Sequence, residues 1–86
     1  MNLSQLYYFR KLAEVQHYTK AAQELYITQP SLSASILSLE RDLGIDLFQR
    51  EGRGVKLTKY GRDFYVHVCW LNWRWGLTMQ KKTPGP

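Results

Sequence analysis

Between Thr19 and Leu43 the apolar residues are spaced for two short helices joined by a tight link, and few folds accept that pattern. Taking Ala22 as the reference, Leu25, Ile27 and Leu32 follow at plus three, plus five and plus ten, and Ile36 closes the cluster. Ala21 and Ala22 favour a helix and add no bulk, so the helix Lys20 to Leu25 can cross its neighbour closely. Thr19 is suited to cap it, since its hydroxyl can accept a free amide of the first turn. Tyr26-Ile27-Thr28 forms the link. Pro30 fits the first turn of the next helix and biases Gln29 away from helical geometry, which leaves Thr28 or Gln29 as the cap. Leu32, Ile36, Leu39 and Leu43 then step by four, three and four and make a narrow buried seam. Gly44 ends that helix.

The flanking segments complete one small domain. Asn2 to Gln16 reads as a helix with an apolar stripe of Leu3, Leu6, Phe9, Leu12 and Ala13. From Leu47 to Thr58 the period changes to that of a short hairpin. Phe48 and Arg50 stand before the turn Gly52-Arg53-Gly54, and Val55, Lys56 and Leu57 follow it. Two strands alone are marginal, so the hairpin must pack on the helices. Thr58 can cap a fourth helix from Lys59, in which Phe64, Val68, Leu71 and Trp75 form a seam with no obvious place in the core described so far. The expected organisation is therefore mainly α. A winged helix-turn-helix (three-helix core, two-stranded wing) occupies residues 1–58, a long linker helix 59–80, and a flexible tail 81–86.

In a helix-turn-helix the second helix of the pair lies in the major groove of DNA. The same skeleton also suits a helical hairpin that binds nothing. The outward face of the third helix favours DNA: Pro30, Ala34 and Arg41 lie opposite the seam, flanked by Ser31, Ser33 and Ser38. Such a face is small, hydroxyl-rich and free of acid in its first half, so it can enter a groove and touch phosphates and base edges. The wing adds charge. Residues 49–62 hold Arg50, Arg53, Lys56, Lys59 and Arg62 against the single acid Glu51, so they carry most of the chain's formal net charge of +5. A basic loop beside a groove-fitting helix can grip the backbone or the minor groove. One departure is Tyr26, which stands where many such motifs have glycine.

The ordered residues Thr19-Lys20-Ala21-Ala22, Leu25, Thr28-Gln29-Pro30-Ser31-Leu32-Ser33, Leu39-Glu40, Leu43-Gly44, Leu47-Phe48, Leu57-Thr58 and Gly61 resemble the DNA-binding domain of LysR-type transcriptional regulators. The resemblance implies double-stranded DNA as the partner. It places Thr28, Gln29, Pro30, Ser31 and Ser33 at the groove-facing end of the recognition helix and matches Arg50 and Arg53 to the family's wing arginines. It also implies a linker helix through which two chains pair. Where the family commonly has arginine after Ser33, this chain has Ala34. Family members usually carry an effector-sensing domain with a small-molecule ligand after the linker helix, and these 86 residues contain nothing that could be that domain.

The expected DNA-contacting set is Thr19, Thr28, Gln29, Pro30, Ser31, Ser33, Ala34, Ser38, Arg50, Arg53 and Lys56. Phe64, Val68, Leu71 and Trp75 are the expected dimer contacts, and a two-fold dimer implies a roughly palindromic operator. Trp70, Trp73 and Trp75 could also fold back on the domain or touch a membrane surface. A protein-interaction module of the same fold, with only residual DNA binding, is the competing reading. An enzyme is disfavoured, because no nucleophile stands beside a base in any supporting context. His17, His67 and Cys69 lack metal-ligand spacing, and no cofactor is implied. One cysteine permits no intrachain disulfide, no apolar run approaches a membrane span, and the start lacks the pattern of a secretory signal, so a cytoplasmic location is expected.

Overall fold

The computed structural model describes residues 2–80, with side chains described through Trp70. The element order is α1 (Leu3–Val15), α2 (Tyr18–Leu25), α3 (Gln29–Leu43), β1 (Phe48–Glu51), β2 (Gly54–Leu57) and α4 (Lys59–Gln80). Each boundary has a local cause. Asn2 and Gln5 form a capping box at α1, with the Gln5 amide donating to Asn2 Oδ1 at 2.9 Å and the Asn2 amide to Gln5 Oε1 at 3.2 Å. Helix α1 ends at Gln16 in the left-handed region, φ 61°. Helix α2 begins two residues earlier than expected, and its cap is His17, whose Nδ1 accepts from the Lys20 amide at 3.4 Å. Thr19 is therefore not the cap; it lies inside the first turn.

At the far end of α2, Tyr26 adopts φ 59°, and the Ile27 amide donates back to the Ala22 carbonyl at 3.0 Å in a Schellman-type closure. Thr28, not Gln29, caps α3: its Oγ1 accepts from the Ser31 amide at 3.3 Å. Gln29 is the first helical residue, so the bias from Pro30 is overridden once Thr28 holds the first turn. Gly44 closes α3 at φ 72°, as the sequence suggested.

The core unites all four helices with the wing. Phe9, Leu12, Leu32, Ile36, Leu39 and Leu47 are fully buried, and Ala21 and Ala22 supply the close crossing of α2. The α1 stripe starts lower than expected, because Leu3 is largely exposed, and Leu43 is only half-buried. Strands β1 and β2 pair antiparallel with Phe48 opposite Leu57 and Glu51 opposite Gly54. The turn is thus the two residues Gly52 and Arg53, with Gly54 already in the strand. Positive φ at Gly52 (60°) and not at Arg53 fits a type II′ hairpin.

The hairpin packs on the helices through specific contacts. The Val55 amide donates to the Gln16 carbonyl at 3.1 Å, and the backbones approach so closely there that a Cβ on Gly54 would collide with that carbonyl oxygen. The Phe48 and Phe9 rings lie 5.4 Å apart. Thr58 caps α4 by accepting from the Gly61 amide at 3.0 Å, and its hydroxyl donates to the Asp46 carbonyl. Gly61 is buried against the Leu47 carbonyl, where no side chain fits.

The α4 seam needs correction. Phe64 meets Phe9 edge to face at 5.0 Å, and Val68 is 5% exposed within the domain's own core. They have a place after all: α4 leans on α1. The heptad-like step looks the same whether its ridge meets α1 or a second chain. The side chains of Leu71, Trp73 and Trp75 and the whole of residues 81–86 lie outside the described residues.

Candidate nucleic-acid interface

None of the sequence-nominated contact residues is buried. Thr19, Thr28, Gln29, Pro30, Ser31, Ala34, Arg50, Arg53 and Lys56 are exposed, and Ser33 and Ser38 are half-buried. The capping geometry explains the first group. Because Thr28 caps α3 from outside, Gln29, Pro30 and Ser31 occupy an exposed first turn, while Leu32 is the first residue to turn inward. The Thr28 hydroxyl donates to Ser31 Oγ at 2.8 Å, which fixes both at that tip.

The fold brings helix and wing residues together around one groove of about 380 Å³. Thr19, Gln29, Ser33 and Leu37 line its helical side, and Arg50 and Arg53 line its wing side. Thr19 Oγ1 donates to Gln29 Oε1 at 3.4 Å, which ties the start of α2 to the start of α3. Pro30 and Ala34 stand on the ridge beside this groove. At about 100° per residue, Ser31 and Ser38 fall on the ridge's far flank, so they do not share the groove with the arginines.

The wing cations divide between two faces. The pairing register sets Arg50 opposite Val55 and Gln49 opposite Lys56, and alternate pairs face opposite ways. Arg50 therefore shares the face of inward-packed Val55, toward α3. Lys56 lies on the other face, beside Gln16, His17 and Lys20, and its Nζ is 2.7 Å from Glu51 Oε1. The expectation that Lys56 stands with Arg50 and Arg53 beside α3 is corrected on this geometry. Strand alternation, which the sequence already contained, separates them.

One acid sits at this groove. Glu40 Oε2 accepts from the Leu47 amide at 2.7 Å and from the Phe48 amide at 3.3 Å. That carboxylate fastens the start of the wing to α3, a role that sequence reasoning did not assign. Tyr18 lies at the same junction. Burial pushes its hydroxyl pKa up, the Glu40 carboxylate adds to the rise, and the Arg50 guanidinium opposes it. Leu37 was missed as well. It is 52% exposed and borders the groove, and the step Pro30, Ala34, Leu37, Arg41 opposite the buried seam could have revealed it.

Among the described residues no three metal-ligating side chains gather, and no helix is long and apolar enough to cross a membrane. The His67 ring sits 2.9 Å from the Asp63 carbonyl of its own helix.

The sequence pattern of bacterial regulatory helix-turn-helix proteins of the lysR family matches residues 3–62. The chain belongs to the LysR family. Among its relatives, YybE, an HTH-type transcriptional regulator of Bacillus subtilis (strain 168), is 55% identical over 68 residues, covering 79% of this chain and 23% of YybE. BenM, an HTH-type transcriptional regulator of Acinetobacter baylyi, is 49% identical over 71 residues, covering 83% of this chain and 23% of BenM. The chain thus spans less than a quarter of either relative's length. The winged fold is shared as well. The DNA-binding domain of CbnR, solved in complex with DNA, superposes with a TM-score of 0.84 at 32% identity, covering 94% of this chain and 93% of that one. The BenM DNA-binding domain, solved with catB site 1 DNA, superposes with a TM-score of 0.82 at 43% identity, covering 95% and 90%. The winged helix-turn-helix expected from the Ala22-centred spacing is the fold of this LysR-family chain.

Proposed function

We propose that this chain binds duplex DNA sequence-specifically, as the DNA-reading part of a bacterial transcription regulator acting in the cytoplasm. The observation that carries the reading is the groove itself: Gln29 and Ser33 of α3 face Arg50 and Arg53 of the wing across it. An α-helix entering the major groove brings such an adjacent wing against the sugar–phosphate backbone or the minor groove. Gln29 can bond an adenine edge, Ser33, Thr28 and Ser31 can donate to bases or phosphates, and the arginines neutralise phosphates. Thr19 opens α2 beside the same groove, suited to a backbone contact. Solved relatives bound to DNA support the reading. The role is binding and not catalysis, as for the relatives named as transcriptional regulators.

Pairing of two chains through α4 is part of the proposal, with a revised surface. Phe64 and Val68 serve the domain's own core, whereas Val66 and Trp70 of α4 and Leu3 and Tyr7 of α1 expose apolar surface for a second copy to cover. A two-fold pair sets two α3 helices on a roughly palindromic operator, its half-sites about one helical turn of DNA apart or a multiple of it. Selection of bound duplexes from a random pool at physiological salt tests the whole reading. Enrichment of a half-site, repeated with two-fold symmetry, is expected. A pool that stays random after selection, beside a strong dimer, refutes it and favours the protein-interaction role.

A further inference from the structure

This inference rests on the DNA-binding reading above and concerns what the outward side of α3 reads. At about 100° per residue, Leu37, Pro30 and Ala34 fall within roughly 60° of arc, away from buried Leu32, Ile36 and Leu39. All three are exposed. From Gln29 to Leu39 the helix carries no charged side chain, and the carboxylate of the next residue, Glu40, is turned to the wing amides. A guanine edge is read best by a bidentate arginine or lysine, and this surface offers neither. An apolar side chain in the major groove meets instead the 5-methyl group of thymine.

The dimensions agree. Residues 30 to 37 span about 10 Å at 1.5 Å per residue, within a major groove about 12 Å wide. Exposed Arg41 follows one turn after Leu37 on the same side, about 16 Å from Pro30, at the reach where the phosphate wall begins. A single exposed leucine on a protein surface is ordinary. Here Leu37 continues a line of apolar residues along the ridge and borders the groove that Ser33, Arg50 and Arg53 share.

We propose that Ala34 and Leu37 form a methyl-reading surface that selects thymine in each half-site through its 5-methyl group, which makes Leu37 a specificity-determining residue.

The test uses the full 86-residue chain and the duplex recovered by selection, with thymine replaced by uracil one position at a time. That change deletes a methyl group and leaves the hydrogen-bonding edges intact. Affinity is expected to fall about fourfold at one or two positions per half-site, the effect of leaving one methyl unburied. Leu37→Ala or Ala34→Gly is expected to erase the thymine-over-uracil preference at such a position. Uracil duplexes that all bind as tightly as the thymine parent overturn the proposal, as does full retention of the preference in both variants. A chain that prefers no duplex defeats the DNA-reading function as well, whereas a preferred duplex indifferent to methyl removal defeats this inference alone.

Discussion

Replacing Glu40 by alanine removes a side chain that fastens the start of the wing to α3. Its carboxylate accepts two amide hydrogen bonds, from Leu47 at 2.7 Å and Phe48 at 3.3 Å, and Leu47 is fully buried. A hydrogen bond to a charged group contributes about 1.5–3 kcal/mol net, and the longer of these two lies near the lower bound or below it. The alanine variant is therefore expected to lose about 2–4 kcal/mol, a large share of the roughly 4–13 kcal/mol available to a domain this small. At about 4–8 °C per kcal/mol, its Tm falls by roughly 8–32 °C in a circular-dichroism melt. Both bonds fall on Oε2, so the carbonyl of Glu40→Gln can still accept both, now as a neutral group, and should recover about half of that loss. Amide hydrogen exchange localises the effect: Leu47, Phe48 and the β1 amides should exchange faster than those of α1. A Tm drop of less than about 3 °C for Glu40→Ala, or unchanged exchange at Leu47 and Phe48, would refute the fastening role.

The remaining expectations are more local. Gly54→Ala forces a Cβ against the Gln16 carbonyl, so the wing must shift off α1; a Tm lowered by several degrees and weaker duplex binding should follow, and a variant matching the parent in both would contradict the close approach. Tyr26→Gly relieves a left-handed residue whose side chain is 94% exposed; a gain of about 1 kcal/mol is expected, read as a Tm higher by roughly 4–8 °C, and a lower Tm would show that the ring makes contacts of its own. Alkaline titration tests two tyrosines. A hydrogen bond with Cys69 and then burial push the Tyr65 hydroxyl up to about 12, and burial raises Tyr18. Both pKa values are higher folded than unfolded, so the stability they contribute is fully present below pH 10 and is lost as pH rises from 10 toward 12. Tyr65→Phe should flatten the fall in Tm across that window, and an unchanged slope would count against the hydrogen bond with Cys69.

Much of the fold was legible because it is written in local spacing. The step Leu32, Ile36, Leu39 points inward in any helix of this phase, Gly44 and Thr58 cap as their chemistry dictates, and Ala21 and Ala22 mark the close crossing. What the sequence hid depends on contacts between distant segments. His17 displaces Thr19 as the α2 cap because Gln16 turns left-handed to receive the wing. Phe64 and Val68 face α1, a choice that heptad spacing leaves open. At the site, exposure of Gln29, Pro30 and Ala34 followed from helix phase alone. The meeting of Ser33 with Arg50 and Arg53 needed the hairpin folded back over α3, and the tether that holds it there is Glu40, whose partners lie seven and eight residues away. Lys56 was separable in principle, since strand alternation sets it on the face opposite Arg50.

The salt dependence of duplex binding tests the central claim, that the wing arginines and the α3 tip meet DNA as one surface. Each neutralised phosphate adds about 0.9 to the slope of log K against log salt concentration. The double variant Arg50→Ala/Arg53→Ala should therefore bind every duplex more weakly, with a slope shallower by about 2, while Gln29→Ala should lose sequence preference and keep the parent slope. A double variant with the parent slope and parent affinity would contradict the account, because the groove between α3 and the wing would then not be where DNA lies.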